Sequence, residues 1–402
     1  MKKNLLISVI IIAITGILVA VAIYIPNTLP VGSDFSALYY ADLALVNGIH
    51  IYDIPRMETL AQEASGIPAE HFFMPRFPYP PWYVLSTFYL GLLSIQSAGL
   101  LWFEINLIML FLSIWFLTDG WDGRLRLIAF PLGLMFLPVI GALSVGQYDF
   151  PVLFGTSMLI YSLRKENIAL TTLGAVLLTF KPHVGALILL SVLGWLIGSR
   201  SRLALSSIEG FGRRARRSVI LAGVFLFVVG FIADPAWVVN YPNMLLNYQG
   251  EGNVSSCSEC ANIPVFVSRG LLDGSLSRAA ILAIILLLIL VGLFFTQRKA
   301  LMQSPELLLT SALLITLLAS PYLYNYDFIL LLVPFAILLT GNLVQKIIVL
   351  VCHLVPTFAL ALYGRGGNIT LLIAALILAA LLFLRAKSQV DVNRLASYNT
   401  NT

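Results

Sequence analysis

One acidic side chain, Asp34, stands where a carboxylate can act as a base at a membrane surface. Residues 5–25 form an apolar run, Pro26 and Pro30 interrupt it, and Asp34 follows shortly after. An acid just outside a bilayer is solvated enough to stay ionised, lies near lipid headgroups, and can take the proton of a hydroxyl group. Asp is also a favoured N-cap of helices, so a structural role is the alternative. We favour the base and predict that Asp34 is catalytic.

Four basic side chains are candidates to bind a phosphate group. Lys181 interrupts an apolar hairpin, where a charge costs roughly 3 kcal/mol on insertion scales, so it needs a partner such as a lipid phosphate. The alternative is that Lys181 extends to the headgroups. Arg365 lies among glycines whose backbone amides can approach an anion. The other two candidates are His183, on the same break as Lys181, and Arg76, before an aromatic and proline-rich run. A structural role is the alternative for His183, Arg76 and Arg365.

Five further polar side chains are candidates to bind the hydroxyl groups of a sugar or an acceptor. They lie where the apolar sequence turns polar and aromatic: Tyr39, Tyr79, Gln147, Asp149 and Asp327. Gln147 and Asp149 can equally cap the helix that follows them.

Cys257 and Cys260 have CxxC spacing in a polar loop. Outside a cell, a disulfide that closes this small loop is favoured over redox catalysis. A metal site needs two more ligands, and none is suitably spaced. The sequence has no Walker loop, Rossmann fingerprint or HExxH motif, which argues against a nucleotide-driven pump and against direct use of a nucleotide sugar.

The composition places these residues in an all-α polytopic membrane protein. Of 402 residues, 59% are hydrophobic and 11% are charged, whereas soluble domains carry about 25% charged residues. Apolar runs recur along the whole chain and are continuous rather than alternating, which predicts about 12 transmembrane helices and not a barrel. The net charge of +5 lies in short clusters between these runs, so it indicates membrane orientation and not nucleic-acid binding.

The predicted organisation is a single integral-membrane domain, residues 1–388, with a polar tail at 389–402. Residues 26–80 form a first outer loop with an interfacial helix that begins near Phe35, residues 199–217 a basic inner linker, and residues 234–278 a second outer loop. One segment must fail to cross if both chain ends are cytoplasmic. It lies between residues 81 and 126, with 81–95 as one candidate, and is re-entrant or lies along the interface. The candidate spans are residues 5–25, 81–95, 98–117, 127–145, 150–163, 170–180, 184–197, 219–232, 279–295, 305–319, 328–340, 347–363 and 369–384.

Basic residues set the orientation, because cytoplasmic loops carry an excess of Lys and Arg. The segments expected on the opposite, extracytoplasmic face are the polar and aromatic ones: 26–80, 146–149, 181–183, 234–278, 320–327 and 363–368. The residues expected on the cytoplasmic face are Lys2, Lys3, Arg164, Lys165, the arginines of 200–217, Arg298, Lys299, Lys346, Arg385 and Lys387.

Several motifs resemble those of one enzyme family. Residues 32–35 read Gly-Ser-Asp-Phe, residues 39–45 read Tyr-Tyr-Ala-Asp-Leu-Ala-Leu, and residues 47–53 read Asn-Gly-Ile-His-Ile-Tyr-Asp. This opening is similar to that of the family 87 glycosyltransferases. Later landmarks are similar too and occur in the same order: Tyr79-Pro80-Pro81, Gly146-Gln147, Lys181-Pro182 and Ser320-Pro321.

The resemblance implies a GT-C-type helical bundle and a hexosyltransferase, similar to the α-mannosyltransferases. It implies a polyprenyl-phosphate sugar as donor, a glycolipid or polysaccharide acceptor, and one inverting displacement with Asp34 as base, without cofactor or metal. The expected location is the plasma membrane, with the active site outside the cytoplasm. The alternative is a transporter or flippase of a lipid-linked or polar solute, although the sequence shows no repeated halves of the kind transporters carry.

Overall fold

The computed structural model describes residues 34–66, 72, 74, 76–198, 206–248, 261–271, 276–320 and 323–399. Within them the protein is all-helical and contains no strands, as expected. The helices are α1 (Asp34–Val46), α2 (Ile54–Ser65), α3 (Pro81–Thr87), α4 (Ile95–Leu117), α5 (Gly123–Met135), α6 (Leu137–Val145), α7 (Asp149–Lys165), α8 (Ile168–Leu178), α9 (Pro182–Gly198), α10 (Ser206–Ala233), α11 (Trp237–Tyr248), α12 (Ile263–Leu271), α13 (Leu276–Phe295), α14 (Arg298–Gln303), α15 (Pro305–Ala319), α16 (Leu332–Leu338), α17 (Leu343–Tyr363) and α18 (Asn368–Asn399), with 3₁₀-helices at Phe88–Leu92, Asn325–Leu331 and Gly364–Gly367.

Five helices of the described chain are long and apolar enough to cross a membrane, and a bent pair makes a sixth. The expected number of about 12 spans is not confirmed, because several apolar segments form helices of only 10–17 residues. The predicted first span, residues 5–25, lies outside the described residues. The candidate crossing segments are Ile95–Leu117, Gly210–Ala233, Arg278–Phe295, Leu343–Tyr363, Asn368–Ser388 and the α5–α6 pair.

Residues 81–95 do not form a continuous span. They divide into the seven-residue α3 and the 3₁₀-helix Phe88–Leu92, which together are too short for the roughly 20 residues that a crossing needs. The 3₁₀-helix packs on α1, and a Cβ atom at Gly91 would lie 2.6 Å from the carbonyl carbon of Asp42. Only glycine therefore allows this close approach to the backbone of α1.

Helix α1 forms where the sequence predicts a helix, but its surroundings differ from the prediction. We expected it to lie in the membrane interface with Tyr39 and Tyr40 at headgroup depth. Most of its side chains, including both tyrosines, are buried in a core formed with the segments around Tyr79 and Trp102. Nearly every side chain of this helix is small or apolar, so the helix can be covered by protein on all sides. Its interfacial depth stays a prediction.

The predicted span 127–145 is bent by 61° between α5 and α6. The bend lies at Phe136, two residues before Pro138, because proline cannot donate a backbone hydrogen bond. Two side chains of α17 satisfy the backbone there: His353 Nε2 lies 2.9 Å from the carbonyl oxygen of Leu132, and Leu137 N–H donates to Thr357 Oγ1 at 3.4 Å. Polar backbone inside a membrane needs such partners.

Helices α7 and α8 form a tight hairpin through two facing glycines. A Cβ atom at Gly155 would lie 2.8 Å from the Gly174 carbonyl oxygen, and one at Gly174 would lie 2.9 Å from that of Gly155. Small residues at such positions let membrane helices pack with their backbones close together.

Gly174→Val should therefore destabilise the protein by the 1–3 kcal/mol or so that overpacking costs. Gly223 on α10 is the matched control, because a Cβ atom there meets nothing within 4 Å. Thermal unfolding of both purified variants in the same detergent measures the difference. Equal transition temperatures for Gly174→Val and Gly223→Val would contradict the close packing of α7 against α8.

Candidate active site

Charged and aromatic side chains from segments far apart in sequence meet at one end of the bundle, which we call the Asp34 end. They come from the first turn of α1, the turn between α6 and α7, the break between α8 and α9, and the 3₁₀-helix Asn325–Leu331. The sequence analysis selected all four segments. The side chains that define the Asp34 end are Asp34, Gln147, Tyr148, Asp149, Lys181, Tyr326 and Asp327.

Asp34 is held by side chains from two other segments. Gln147 Nε2 donates a hydrogen bond to Asp34 Oδ2, and the Tyr326 hydroxyl group bonds to the same carboxylate. The Tyr148 hydroxyl group donates to the backbone carbonyl of Asp34. The carboxylate is thus positioned by tertiary contacts.

The local backbone orients Gln147 toward Asp34. Gly146 ends α6 with φ +67°, in the left-handed region, and a Cβ atom there would lie 2.5 Å from Cβ of Phe35. Trp102 Nε1 donates to the Gly146 carbonyl at 2.9 Å. The Gln147 Oε1 atom accepts from Tyr148 N–H at 3.0 Å, which leaves its Nε2 group to face the carboxylate. Glycine is required here by both its φ angle and the contact with α1.

The environment of Asp34 makes its carboxylate a stronger base than an exposed one. Burial raises the pKa of the Asp34 carboxyl group, while the hydrogen bond from Tyr326, the charge of Lys181 and the hydrogen bond from Gln147 oppose that rise. Burial disfavours the charged form of a carboxyl group, and donors and cations favour it. The net pKa is above the ordinary value of 3.8, which makes the group a better proton acceptor.

Lys181 is buried between two carboxylates. Its Nζ atom lies 2.8 Å from Asp149 Oδ1 and also bonds to Asp327 Oδ1. Lys181 is only 3% exposed, so the alternative that it extends to the headgroups was wrong. Asp327 also accepts from the backbone N–H of Tyr324, while Asp149 Oδ2 has no hydrogen-bond partner among the described residues. The phosphate role of Lys181 and the sugar roles of Asp149 and Asp327 stay predictions.

Aromatic rings form the wall beside these charges. Tyr79 and Tyr148 meet edge to face with ring centroids 4.6 Å apart, and Tyr83 stacks on Phe180 at 4.5 Å. The Tyr52 hydroxyl group donates to the Tyr79 carbonyl at 2.7 Å. Tyr79, predicted to bind sugar, therefore lies at the site, where aromatic faces and edges suit the apolar face of a sugar ring.

The remaining predicted residues are not among the side chains that define the Asp34 end, or they lie outside the part of the chain that the structure describes. The Tyr39 hydroxyl group donates to the Leu93 carbonyl at 3.0 Å, between α1 and the start of α4. The side chain of His183 is exposed in the first turn of α9, and that of Arg76 is half-buried just before Phe77. The backbone of Arg365 belongs to the 3₁₀-helix Gly364–Gly367, but its side chain is not described, and the predicted disulfide between Cys257 and Cys260 lies outside the described residues.

Sequence reasoning missed Tyr148 and Tyr326, the two tyrosines that hold Asp34. Each is adjacent in sequence to a predicted residue, in Gln147-Tyr148-Asp149 and Tyr326-Asp327. The pattern that could have revealed them is a tyrosine directly before an aspartate in a turn between apolar segments. Such a tyrosine has the same pattern as an interfacial anchor, so the sequence alone does not separate the two roles.

The fold and the site define a class, a multi-pass helical membrane protein with its reactive side chains at one end of the bundle. The model of glycosyltransferase family 87 matches residues 77–321, which is more than half of the chain. The protein therefore belongs to glycosyltransferase family 87. The matched stretch contains Gln147, Asp149 and Lys181, whereas Asp34 and Asp327 lie on either side of it. No curated protein and no solved structure matches the chain.

Replacing Lys181 with methionine should unfold the protein at much lower temperature, because two buried carboxylates would lose their cation. Breaking a buried pair by removing one partner costs about 3–5 kcal/mol. Lys165 is the matched control: it pairs with Asp119 at 3.1 Å but is half exposed, and exposed pairs contribute about 1 kcal/mol or less. Thermal unfolding in detergent compares Lys181→Met with Lys165→Met, and equal small losses would contradict the buried cluster.

Proposed function

We propose that this family 87 glycosyltransferase moves a sugar, mannose or a similar hexose or pentose, from a polyprenyl-phosphate donor to a lipid-linked or glycan acceptor at the outer face of the plasma membrane. The observation that carries the proposal is the geometry of Asp34, a half-buried carboxylate of raised pKa held by Gln147, Tyr148 and Tyr326. A positioned carboxylate beside buried polar groups is the arrangement that general-base chemistry requires.

The proposed reaction is a single displacement. The acceptor hydroxyl oxygen attacks the anomeric carbon of the donor sugar, and its proton passes to Asp34. The bond between the anomeric carbon and the phosphate oxygen breaks at the same time, so polyprenyl phosphate leaves with the electron pair. One attack from the face opposite the leaving group inverts the anomeric configuration. Asp34 then releases its proton to solvent, and no step in this proposal requires a metal ion.

Cationic groups are needed to stabilise the departing phosphate. Lys181 is the cation whose charge acts on the Asp34 carboxyl group, and His183, Arg76 and Arg365 are the further candidates. Asp149 and Asp327 already balance the charge of Lys181. In our proposal the donor phosphate therefore approaches the Lys181 cluster from the His183 side, and Asp149 and Asp327 limit how strongly Lys181 attracts it. This arrangement favours release of the charged product.

Family membership favours the transferase over the transporter or flippase that the sequence left open. The distribution of charge supports the same choice. Transporters bind their substrate near the middle of the membrane between repeated halves. Here three buried charged side chains, Asp149, Lys181 and Asp327, lie together at the Asp34 end, where α7 and α9 begin.

Asp34→Asn should abolish sugar transfer from a polyprenyl-phosphate sugar, because an amide does not accept the proton. Asp42→Asn on the same helix is the control; Asp42 is buried against Thr87, whose hydroxyl group donates to it at 3.0 Å, and we expect transfer to persist. In the wild-type protein, transfer should be lost as pH falls through the raised pKa of Asp34, since the protonated acid is not a base. Full activity of folded Asp34→Asn would remove the mechanism.

Cysteine labelling in intact cells should place the Asp34 end outside. Glu63 on α2 follows Asp34 in the first loop, and Glu166 lies in the turn after α7, at the opposite end; both are exposed. In a background with Cys257, Cys260 and Cys352 replaced by serine, Glu63→Cys should react with an impermeant maleimide. Glu166→Cys should react only after the membrane is opened, and the reverse pattern would overturn the proposed location.

A further inference from the structure

A groove of about 440 Å³ lies between α5 and α17, and none of the side chains that define the Asp34 end lines it. Its floor is formed by α4 and α16, through Ile114, Leu117, Leu332 and Phe335. Its walls are almost entirely apolar. No acidic side chain lines it within the described chain.

The helices on both sides of the groove face the lipid. Leu125 and Ile128 of α5 line it and are about half exposed. On α17, Leu350 lines it, while Leu343 and Val344 on the same helix are largely exposed. Apolar side chains exposed on helices of membrane-spanning length contact acyl chains. The groove is therefore open sideways to the hydrocarbon region.

One end of the groove reaches the membrane surface opposite the Asp34 end. Lys165 pairs with Asp119, and Trp121, two residues further on, lines the groove. Helix α7 runs 17 residues from Asp149 to Lys165, so its ends are about 24 Å apart at about 1.5 Å per residue. A donor lipid that binds with its phosphate near Asp34 therefore does not bring that phosphate to the end of the groove near Trp121.

The surface end of the groove is basic. Lys346 lines it and is exposed, and Arg124 is exposed at the start of α5. Arg126 is fixed against Trp115, with its guanidinium carbon 3.4 Å from the ring centroid and its Nη2 atom donating to the Trp115 carbonyl at 2.6 Å. Basic pockets between membrane helices bind anionic headgroups.

We propose that this groove binds an anionic phospholipid of the leaflet opposite the active site, with one acyl chain along α16 and the phosphate at Lys346. The lateral opening, the apolar floor and the basic end match the two parts of such a lipid. The site depends on the fold alone, so its failure would leave the proposed reaction unaffected.

Native mass spectrometry tests the proposal on the full-length protein. The protein is equilibrated in detergent with equal amounts of phosphatidylglycerol and phosphatidylcholine of identical acyl chains, and the retained lipids are counted. We expect preferential retention of phosphatidylglycerol. Lys346→Gln should reduce that preference about fivefold, since one basic residue near the surface contributes about 1 kcal/mol. Lys387→Gln, an exposed lysine on α18, should leave it unchanged.

A second pair of variants tests the acyl-chain part. Ala129→Trp fills the groove and should abolish retention, whereas Leu127→Trp, on the lipid-exposed face of the same helix, should not. If Ala129→Trp fails to fold, Lys346→Gln alone still decides the result. Equal retention of both lipids would overturn the proposal. So would displacement of the lipid by inorganic phosphate, or preferential retention of added undecaprenyl phosphate, which would identify a free-anion site or a substrate groove.

Discussion

The site is built around one buried cation between two buried carboxylates. Lys181 bonds to Asp149 and Asp327, and all three side chains are almost completely removed from solvent. Each charge would be very unfavourable alone in such surroundings, so none of the three segments can leave the others without a large cost. The cluster therefore locks together the starts of α7 and α9 and the 3₁₀-helix Asn325–Leu331.

The same cluster positions the proposed base, Asp34, through residues that are close to the cluster in sequence. Tyr326 precedes Asp327, and Gln147 lies two residues before Asp149, so the two side chains that bind the Asp34 carboxylate belong to the segments that Lys181 holds. Tyr148 adds a bond to the backbone of Asp34. The position of Asp34 thus depends on an ion cluster formed by residues distant from it in sequence.

The sequence was informative where polar residues interrupt apolar runs. Asp34, Gln147, Asp149, Lys181 and Asp327 were each selected for that reason, and the structure brings all five together. The sequence did not reveal which residues pair with each other. Lys181 pairs with residues 32 and 146 positions away, and no local pattern encodes such a pairing. Tertiary packing also buries α1 on all sides, and the bend between α5 and α6 depends on side chains of α17.

The bend at Phe136 has a consequence for the rigidity of the site. His353 and Thr357 supply the hydrogen bonds that the interrupted backbone lacks, so α6 cannot swing without stranding polar groups in hydrocarbon. Since α6 leads directly into Gly146 and Gln147, the same hydrogen bonds keep the amide group that faces Asp34 in one place.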